Sequence, residues 1–129
     1  MNLNRFTQRS IDAISESQQF AQTAEHPQVT PEHLLAALLR QENGLVPQVI
    51  KKMGADRNAL TIEIDNALDT MPKQSGGQVY PSNEFSQILL KAEKELKQFK
   101  DEYVSVEHLL LAMLEVKCKA SEALKAAGV

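Results

Sequence analysis

Two copies of a glutamate–histidine pair are the side chains of this chain best suited to chemistry. Glu32-His33 and Glu107-His108 each begin two positions after a hydroxyl residue and precede two leucines. A carboxylate at the start of a helix can meet a cationic or amide group, and an imidazole there can carry a proton. The alternative is structural, with the glutamate opposing the helix dipole and a mostly neutral imidazole closing the first turn. For both pairs the residue types favour the structural interpretation.

The other candidates for chemistry lack partners in the sequence. A third Glu-His pair occurs at Glu25-His26, but none of the three is followed by a ligand at metal-binding spacing. The glycines form no phosphate-binding loop. Cys118 lies between two lysines that can activate a thiol, yet nothing nearby supplies a base, so an incidental cysteine is favoured. The sequence therefore predicts no catalytic residues and no metal site.

The elements that position the Glu-His pairs are themselves repeated. Residues 30–39 read T-P-E-H-L-L-A-A-L-L and residues 105–114 read S-V-E-H-L-L-L-A-M-L, with identity at six of ten positions. Such a repeat predicts two packed copies of one helical unit. Thr30 and Ser105 suit the N-cap position, and Pro31 suits the first helical position. We expect Leu34, Leu38 and their partners in the second copy, Leu109 and Met113, to be buried.

The remaining pattern predicts an all-α fold. In the first copy we expect helices over about 5–24, from Thr30, over about 47–53 and after Asp56, with Gly54 just beyond the third. In the second copy we expect Ser82 to cap a helix over about 84–100, and a short helix over about 121–127.

The repeat also sets the predicted domain organisation. Residues 1–129 form a single domain, with repeat one at 1–71, a flexible linker at 72–83 and repeat two at 84–129. By the logic of the repeat, a fourth helix should follow Gly128. We therefore expect a fragment that stops before the last helix of repeat two, in which the fourth helix of repeat one packs across both units.

Composition narrows the class of protein. The chain has 129 residues, 43% apolar and 24% charged, as in a soluble globular domain. Its net charge of −3 and lack of a basic run argue against a nucleic-acid partner. It has no apolar stretch of membrane-spanning length and no signal peptide, and its single cysteine is typical of a cytoplasmic protein.

Three motifs together resemble a known family: F6-T7-Q8-R9, the first E-H-L-L block, and D101-E102-Y103-V104-S105-V106-E107-H108-L109-L110. Over essentially its whole length the chain resembles the duplicated N-terminal domain of Clp-type AAA+ ATPases. V-Y-P-S at 79–82 and the second block most resemble the ClpB disaggregase branch. The C-type unfoldases usually read G-T-E-H-I-L-L-G-L instead.

The resemblance implies two pseudo-symmetric four-helix units that form a non-catalytic module on a hexameric ATP-driven ring. Such a module captures unfolded or aggregated polypeptide in cooperation with a DnaK-type chaperone system. ATP and magnesium belong to the full-length protein, and no cofactor is expected in this fragment, which we expect to be a monomer. The rivals are a C-type domain that serves a protease and a structural spacer that gates the ring.

Site residues are carried over from the same resemblance. Thr7, Asp101 and Glu107 match substrate-binding positions, and we expect them to cluster, partly exposed, at one edge of an apolar groove. In C-type relatives the two E-H-L-L glutamates are associated with phosphoarginine or adaptor binding, and Glu32 and Glu107 occupy those positions.

Overall fold

A computed structural model describes residues 3–74, 76–99 and 103–129 of the chain, with side chains except at 97–99. The described residues form seven helices and two very short strands, and the all-α class is confirmed. In chain order the elements are α1 Gln8–Thr23, β1 Gln28–Val29, α2 Pro31–Arg40, α3 Leu45–Lys52, α4 Arg57–Asp69, β2 Tyr80–Pro81, α5 Asn83–Phe99, α6 Val106–Leu114 and α7 Lys119–Ala126.

Polar caps start the helices of the first half where the sequence predicts them. Thr30 is the N-cap of α2 and Pro31 its first residue. Asp56 caps α4, because its carboxylate accepts from the N–H groups of Asn58 and Ala59. Gly54 follows the C-cap of α3 with a φ of +80°, a conformation that costs glycine little.

The starts of α3 and α7 differ from prediction. α3 begins at Leu45, two residues before Pro47. The proline is tolerated in the first turn because the first N–H groups of a helix have no partner inside it, so no hydrogen bond is lost. α7 begins at Lys119, with Cys118 as N-cap, and Ser121 lies in its first turn. The Ser121 hydroxyl oxygen accepts from the Cys118 N–H at 3.1 Å, so Ser121 closes the helix start from within.

The two repeats bury equivalent positions. The buried face of α1 recurs in α5 at the offset of 75 residues. Leu34, Leu38, Leu109 and Met113 are each fully buried, as predicted. The equivalent pairs are Ser10 and Phe85, Ala13 and Ile88, Ile14 and Leu89, Ser17 and Ala92, and Ala21 and Leu96.

Helix packing interlocks the repeats. In each repeat the first helix packs on the second, α1 on α2 and α5 on α6. Across the repeats α3 packs on α6 and α7 packs on α2, so each short third helix covers the other repeat's second helix. α4 packs on both α2 and α7, which confirms the prediction that it spans the two units.

The segment predicted as a flexible linker is tied to the first repeat. The Gln74 N–H donates to the Glu25 carbonyl at 2.8 Å, and the Ser82 N–H donates to the Val29 carbonyl at 2.9 Å. Between these bonds β2 runs parallel to β1. The described parts of this segment therefore follow the loop between α1 and α2, while the boundaries at 71 and 83 stay a prediction.

Candidate functional site

Thr7 lies where the start of α1 meets the turn that leads into α6. The Thr7 N–H donates to the Val104 carbonyl at 2.9 Å, and the Val104 N–H donates to the Arg5 carbonyl at 2.7 Å. The Ser10 hydroxyl donates to the same Val104 carbonyl at 2.9 Å. These bonds join Thr7 to the chain three residues before Glu107, the arrangement that the predicted site requires of Thr7.

The Thr7 side chain also has a structural task. Its Oγ1 accepts from the Ser10 N–H at 3.2 Å and lies 3.0 Å from the Ser10 hydroxyl, so it caps α1. The residue is partly exposed. Asp101, the third member of the predicted cluster, lies outside the described residues, and its place in the cluster stays a prediction.

The two repeated glutamates have different environments. Glu32 is buried, and its Oε2 accepts from the Ala120 N–H in the first turn of α7 at 3.0 Å. Burial raises the pKa of Glu32 above its usual range. Glu107 is exposed, and its Oε1 accepts from the Ser105 hydroxyl at 3.3 Å. Glu32 therefore caps a helix of the other repeat, whereas Glu107 faces solvent at the N-terminus of α6.

The symmetry of the repeats makes this difference informative. Val46, in the first turn of α3, is the counterpart of Ala120 in α7 at the offset of 74 residues. Glu107 makes no bond to α3 to match the one that Glu32 makes to α7. The sequence treats the two glutamates as matching sites, and the structure leaves one carboxylate open and the other engaged. The predicted phosphoarginine or adaptor contact of Glu32 and Glu107 stays untested.

The two histidines close their helix starts, as predicted. The His33 Nδ1 accepts from the Thr30 N–H at 3.0 Å, and the His108 Nδ1 accepts from the Ser105 N–H at 2.9 Å. A ring nitrogen that accepts from an N–H carries no proton of its own. Burial, with the nearby His26, lowers the pKa of His33 to about 4, so the ring is neutral at neutral pH.

A groove lies between α5 and α6, the two packed helices of the second repeat. Its volume is about 390 Å³, and the residues that line it are charged. Lys91 and Glu115 approach to 3.9 Å across it. Leu90 and Leu111, on the same two helices, are 56% and 47% exposed. The residues that line the groove are Lys91, Lys94, Glu95 and Glu115.

One carboxylate oxygen of Glu95, Oε2, is buried without a hydrogen-bond partner. Burial and the nearby Glu115 carboxylate raise the pKa of Glu95. Sequence reasoning missed the groove residues, although Lys91 and Glu95, four residues apart, signal one shared helix face. The cleft between α5 and α6 is lined by charged residues, and the apolar groove edged by Thr7, Asp101 and Glu107 stays a prediction.

The equivalent cleft of the first repeat is larger, about 590 Å³, and is closed on one side by α4. The Arg40 guanidinium lies 5.2 Å from the centre of the Phe20 ring and bonds the Asp65 carboxylate at 3.0 and 3.1 Å. His26 and His33 form its inner wall. At the repeat offset Phe20 and Arg40 correspond to Glu95 and Glu115, so equivalent positions line the two clefts with different charges.

Nothing in the described part of the chain forms a cluster of three or more acidic, histidine or cysteine side chains that could hold a metal ion. Each helix of this part is too short or too polar to cross a membrane. Cys118 is half-buried, and its Sγ lies 3.4 Å from the Val116 carbonyl. The geometry around Cys118 therefore agrees with an incidental cysteine that caps α7.

Comparison with known proteins assigns this architecture to a family. The sequence profile of the Clp repeat (R) N-terminal domain matches residues 5–127, and the chain belongs to that family. The curated relatives it matches include the chaperone protein ClpB of Porphyromonas gingivalis, 35% identical over 99% of this chain and 15% of the relative. The ClpB of Nitratidesulfovibrio vulgaris is 39% identical over 89% of this chain and 14% of the relative.

Solved structures agree with the sequence relatives. The Hsp104 N-terminal domain from Candida albicans superposes with a TM-score of 0.87 and 28% identity, covering 98% of this chain and 83% of that one. The chain spans about 15% of the length of the Porphyromonas gingivalis ClpB, and the relatives that share this domain with it include ClpB and Hsp104 chaperones.

Proposed function

We propose that this module captures unfolded or aggregated polypeptide and presents it to a hexameric AAA+ ring. The ring, its ATP and magnesium, a DnaK-type partner system and a cytoplasmic location all belong to this proposal. Its support is the kinship with ClpB and the surface around the α5–α6 groove. On these two helices Leu90 and Leu111 are exposed, and one oxygen of Glu95 has no hydrogen-bond partner. The exposed Glu107 lies one helical turn before Leu111 on α6.

The groove suggests how a client segment is held. Apolar client side chains cover the two leucines, and each leucine that becomes buried contributes at most about 1.5–3 kcal/mol. Basic client residues meet Glu115, whose present bridge to Lys91 is long at 3.9 Å and exposed, and therefore weak. Each contact is reversible, and display of several copies on one ring raises the effective affinity.

The test is a titration of the 15N-labelled chain with an unfolded model protein. We expect shifts of amide resonances along α5 and α6, and a loss of binding in Leu90→Gln and Leu111→Gln. Ile62→Gln is the matched control, since Ile62 is an exposed apolar residue on α4 with 61% exposure. If none of the variants changes binding, or if no amide shifts, the chain is a spacer and the proposal fails.

The predicted rim residues are tested separately. Replacing Glu107 or Asp101 by Ala should weaken client capture several-fold while the melting temperature stays nearly unchanged, because an exposed carboxylate contributes only about 0.3–1 kcal/mol to its helix. Thr7→Ala should weaken client capture and also lower the melting temperature, since Thr7 caps α1. Proportional losses of stability and binding in the carboxylate variants would make them caps and not a site.

The C-type alternative has one observation in its favour. The exposed Glu107 lies on α6, which packs on α3, and the N-cap of α3 is Gly44, which has no side chain. A phosphoarginine could place its guanidinium on Glu107 and its phosphate at that helix start. Calorimetry with free phosphoarginine decides this point. Saturable binding that Glu107→Ala abolishes would favour the C-type function, and absence of binding leaves client capture alone.

A further inference from the structure

Two buried histidines connect two segments of the first repeat. His26, in the loop after α1, is 4% exposed, and His33, in the first turn of α2, is 1% exposed. The His26 Nδ1 and the His33 Nε2 are 2.8 Å apart. Leu68, near the end of α4, lines the same cleft as both rings.

The hydrogen-bond partners fix where each proton lies. The Thr30 N–H can only donate, so the His33 Nδ1 is the bare nitrogen and His33 carries its proton on Nε2. That proton is donated to the His26 Nδ1, which must be bare in turn. His26 therefore carries its proton on Nε2. A single directed chain of hydrogen bonds runs from the Thr30 N–H through the His33 ring to the His26 ring.

We propose that the His26–His33 pair is an acid-sensitive lock that fastens the loop after α1 to the start of α2. A proton added to His33 places an N–H against the Thr30 N–H. A proton added to His26 turns its Nδ1 into a donor, which forces the His33 proton onto Nδ1 with the same result. Either protonation breaks the chain of bonds, and the loop after α1 separates from the start of α2.

The charged groups around the pair do not remove this conflict. Lys73 disfavours a charged His26, and Asp69 favours one less strongly. Arg40 and Asp65 are engaged with each other in the same cleft, and α1 contributes only uncharged residues to its lining. The remaining charged group, Glu25, lines the adjoining cleft beside His26. Burial is the largest influence on both rings, and it lowers the pKa of His26 and of His33.

His108 is the counterpart of His33 in the second repeat. It makes the same capping bond, to the Ser105 N–H at 2.9 Å. The residue equivalent to His26 at the repeat offset is Asp101, so a second histidine is absent from that position in the sequence. The second repeat thus has the capping histidine without the histidine pair.

The first measurement is 15N NMR of the histidine rings in the 129-residue chain at neutral pH. We expect both His26 and His33 as the tautomer protonated on Nε2. The second is amide hydrogen exchange between neutral pH and about pH 5, corrected for the intrinsic pH dependence. Protection at Thr30 should fall by up to about tenfold per pH unit.

The double variant His26→Gln/His33→Gln tests the cause. Glutamine does not titrate, and at the third helical position its carbonyl can still accept the Thr30 N–H. We expect the acid response at Thr30 to vanish in this variant and to persist in the control His108→Gln. A response that persists in the double variant, or His33 found protonated on Nδ1 at neutral pH, overturns the lock. If the double variant does not fold, the ring tautomers and the exchange of the wild-type chain decide the question.

Discussion

At the scale of single residues, the repeated Glu-His motif places its two glutamates in different environments. Glu32 and Glu107 share their sequence neighbours and their place in the first turn of a helix. Only Glu32 is covered by a helix of the other repeat, and there its carboxylate caps α7 through the Ala120 N–H. A buried N–H that loses its acceptor costs more than an exposed one, which water satisfies.

We therefore expect the two glutamates to respond unequally to substitution. Glu32→Ala leaves the Ala120 N–H without its acceptor and should lower the free energy of unfolding by about 1–3 kcal/mol. Glu107→Ala should lower it by about 0.3–1 kcal/mol. Urea denaturation of both variants measures the difference, and Glu32→Gln, which keeps an acceptor, should fall between them. Equal losses for the two alanine variants would show that the Glu32 bond contributes nothing.

At the scale of elements, short helices depend on how they end. α3 has eight residues and ends through Gly54 at a φ of +80°. A Cβ placed on Gly54 would meet nothing within 4 Å, so only the backbone conformation requires glycine there. At Gly44 the reverse holds, because an added Cβ would lie 2.9 Å from the Gln41 Cβ.

Substitutions at Gly54 separate conformation from space. Gly54→Ala should reduce the free energy of unfolding by about 1–2 kcal/mol, the cost of a left-handed conformation for an ordinary residue. Gly54→Asn should cost less, since asparagine tolerates that conformation better. Chemical denaturation of the two variants is the measurement, and an alanine variant as stable as the wild type would mean that the α3 end rearranges freely.

At the scale of the whole molecule, the repeats are built to fold together. α3 and α7 each cover a helix of the other repeat, and α4 bridges both units. Neither repeat can bury its leucines alone, so we expect a single two-state unfolding transition. Calorimetric and van't Hoff enthalpies should agree, and transitions followed at Tyr80 and Tyr103 should coincide. Two separate transitions would show that the interlock is too weak to couple the repeats.

Stability of the whole molecule should also depend on acid through His33. The pKa of its imidazole is about 4 in the folded chain, against 6.5 for a histidine side chain free in water. As the pH falls below 6.5 the unfolded chain binds a proton that the folded chain does not, so stability falls. The limit is roughly 3 kcal/mol, approached near pH 4. Glu32 and Glu95, with raised pKa values, act in the opposite direction.

The comparison that isolates His33 is between the wild type and His33→Gln. The difference in their free energies of unfolding should shrink as the pH is lowered from neutral, because only the wild type loses the histidine contribution. Denaturation curves of both proteins at several pH values measure this difference. A difference that stays constant with pH would mean that the folded and unfolded chains bind protons at residue 33 equally well.

The sequence by itself determined the all-α class, the register of the repeat and most helix starts. These follow from local chemistry: a hydroxyl or carboxylate caps the N–H groups a few residues away, and leucines at helical spacing define one buried face. The capping role of both histidines was readable for the same reason, since Thr30 to His33 is one helical turn. Leu34, Leu38, Leu109 and Met113 were predicted to be buried and are.

Only the tertiary structure decided which of the two repeated glutamates is exposed and which is hydrogen-bonded to another helix. Glu32 and Glu107 differ because α7 reaches one and α3 does not bond the other, and sequence spacing does not encode that contact between distant segments. The pairing of His26 with His33 and the meeting of Lys91 with Glu115 arise in the same way. A repeat specifies equivalent elements, whereas the environment of each side chain depends on what the rest of the chain packs against it.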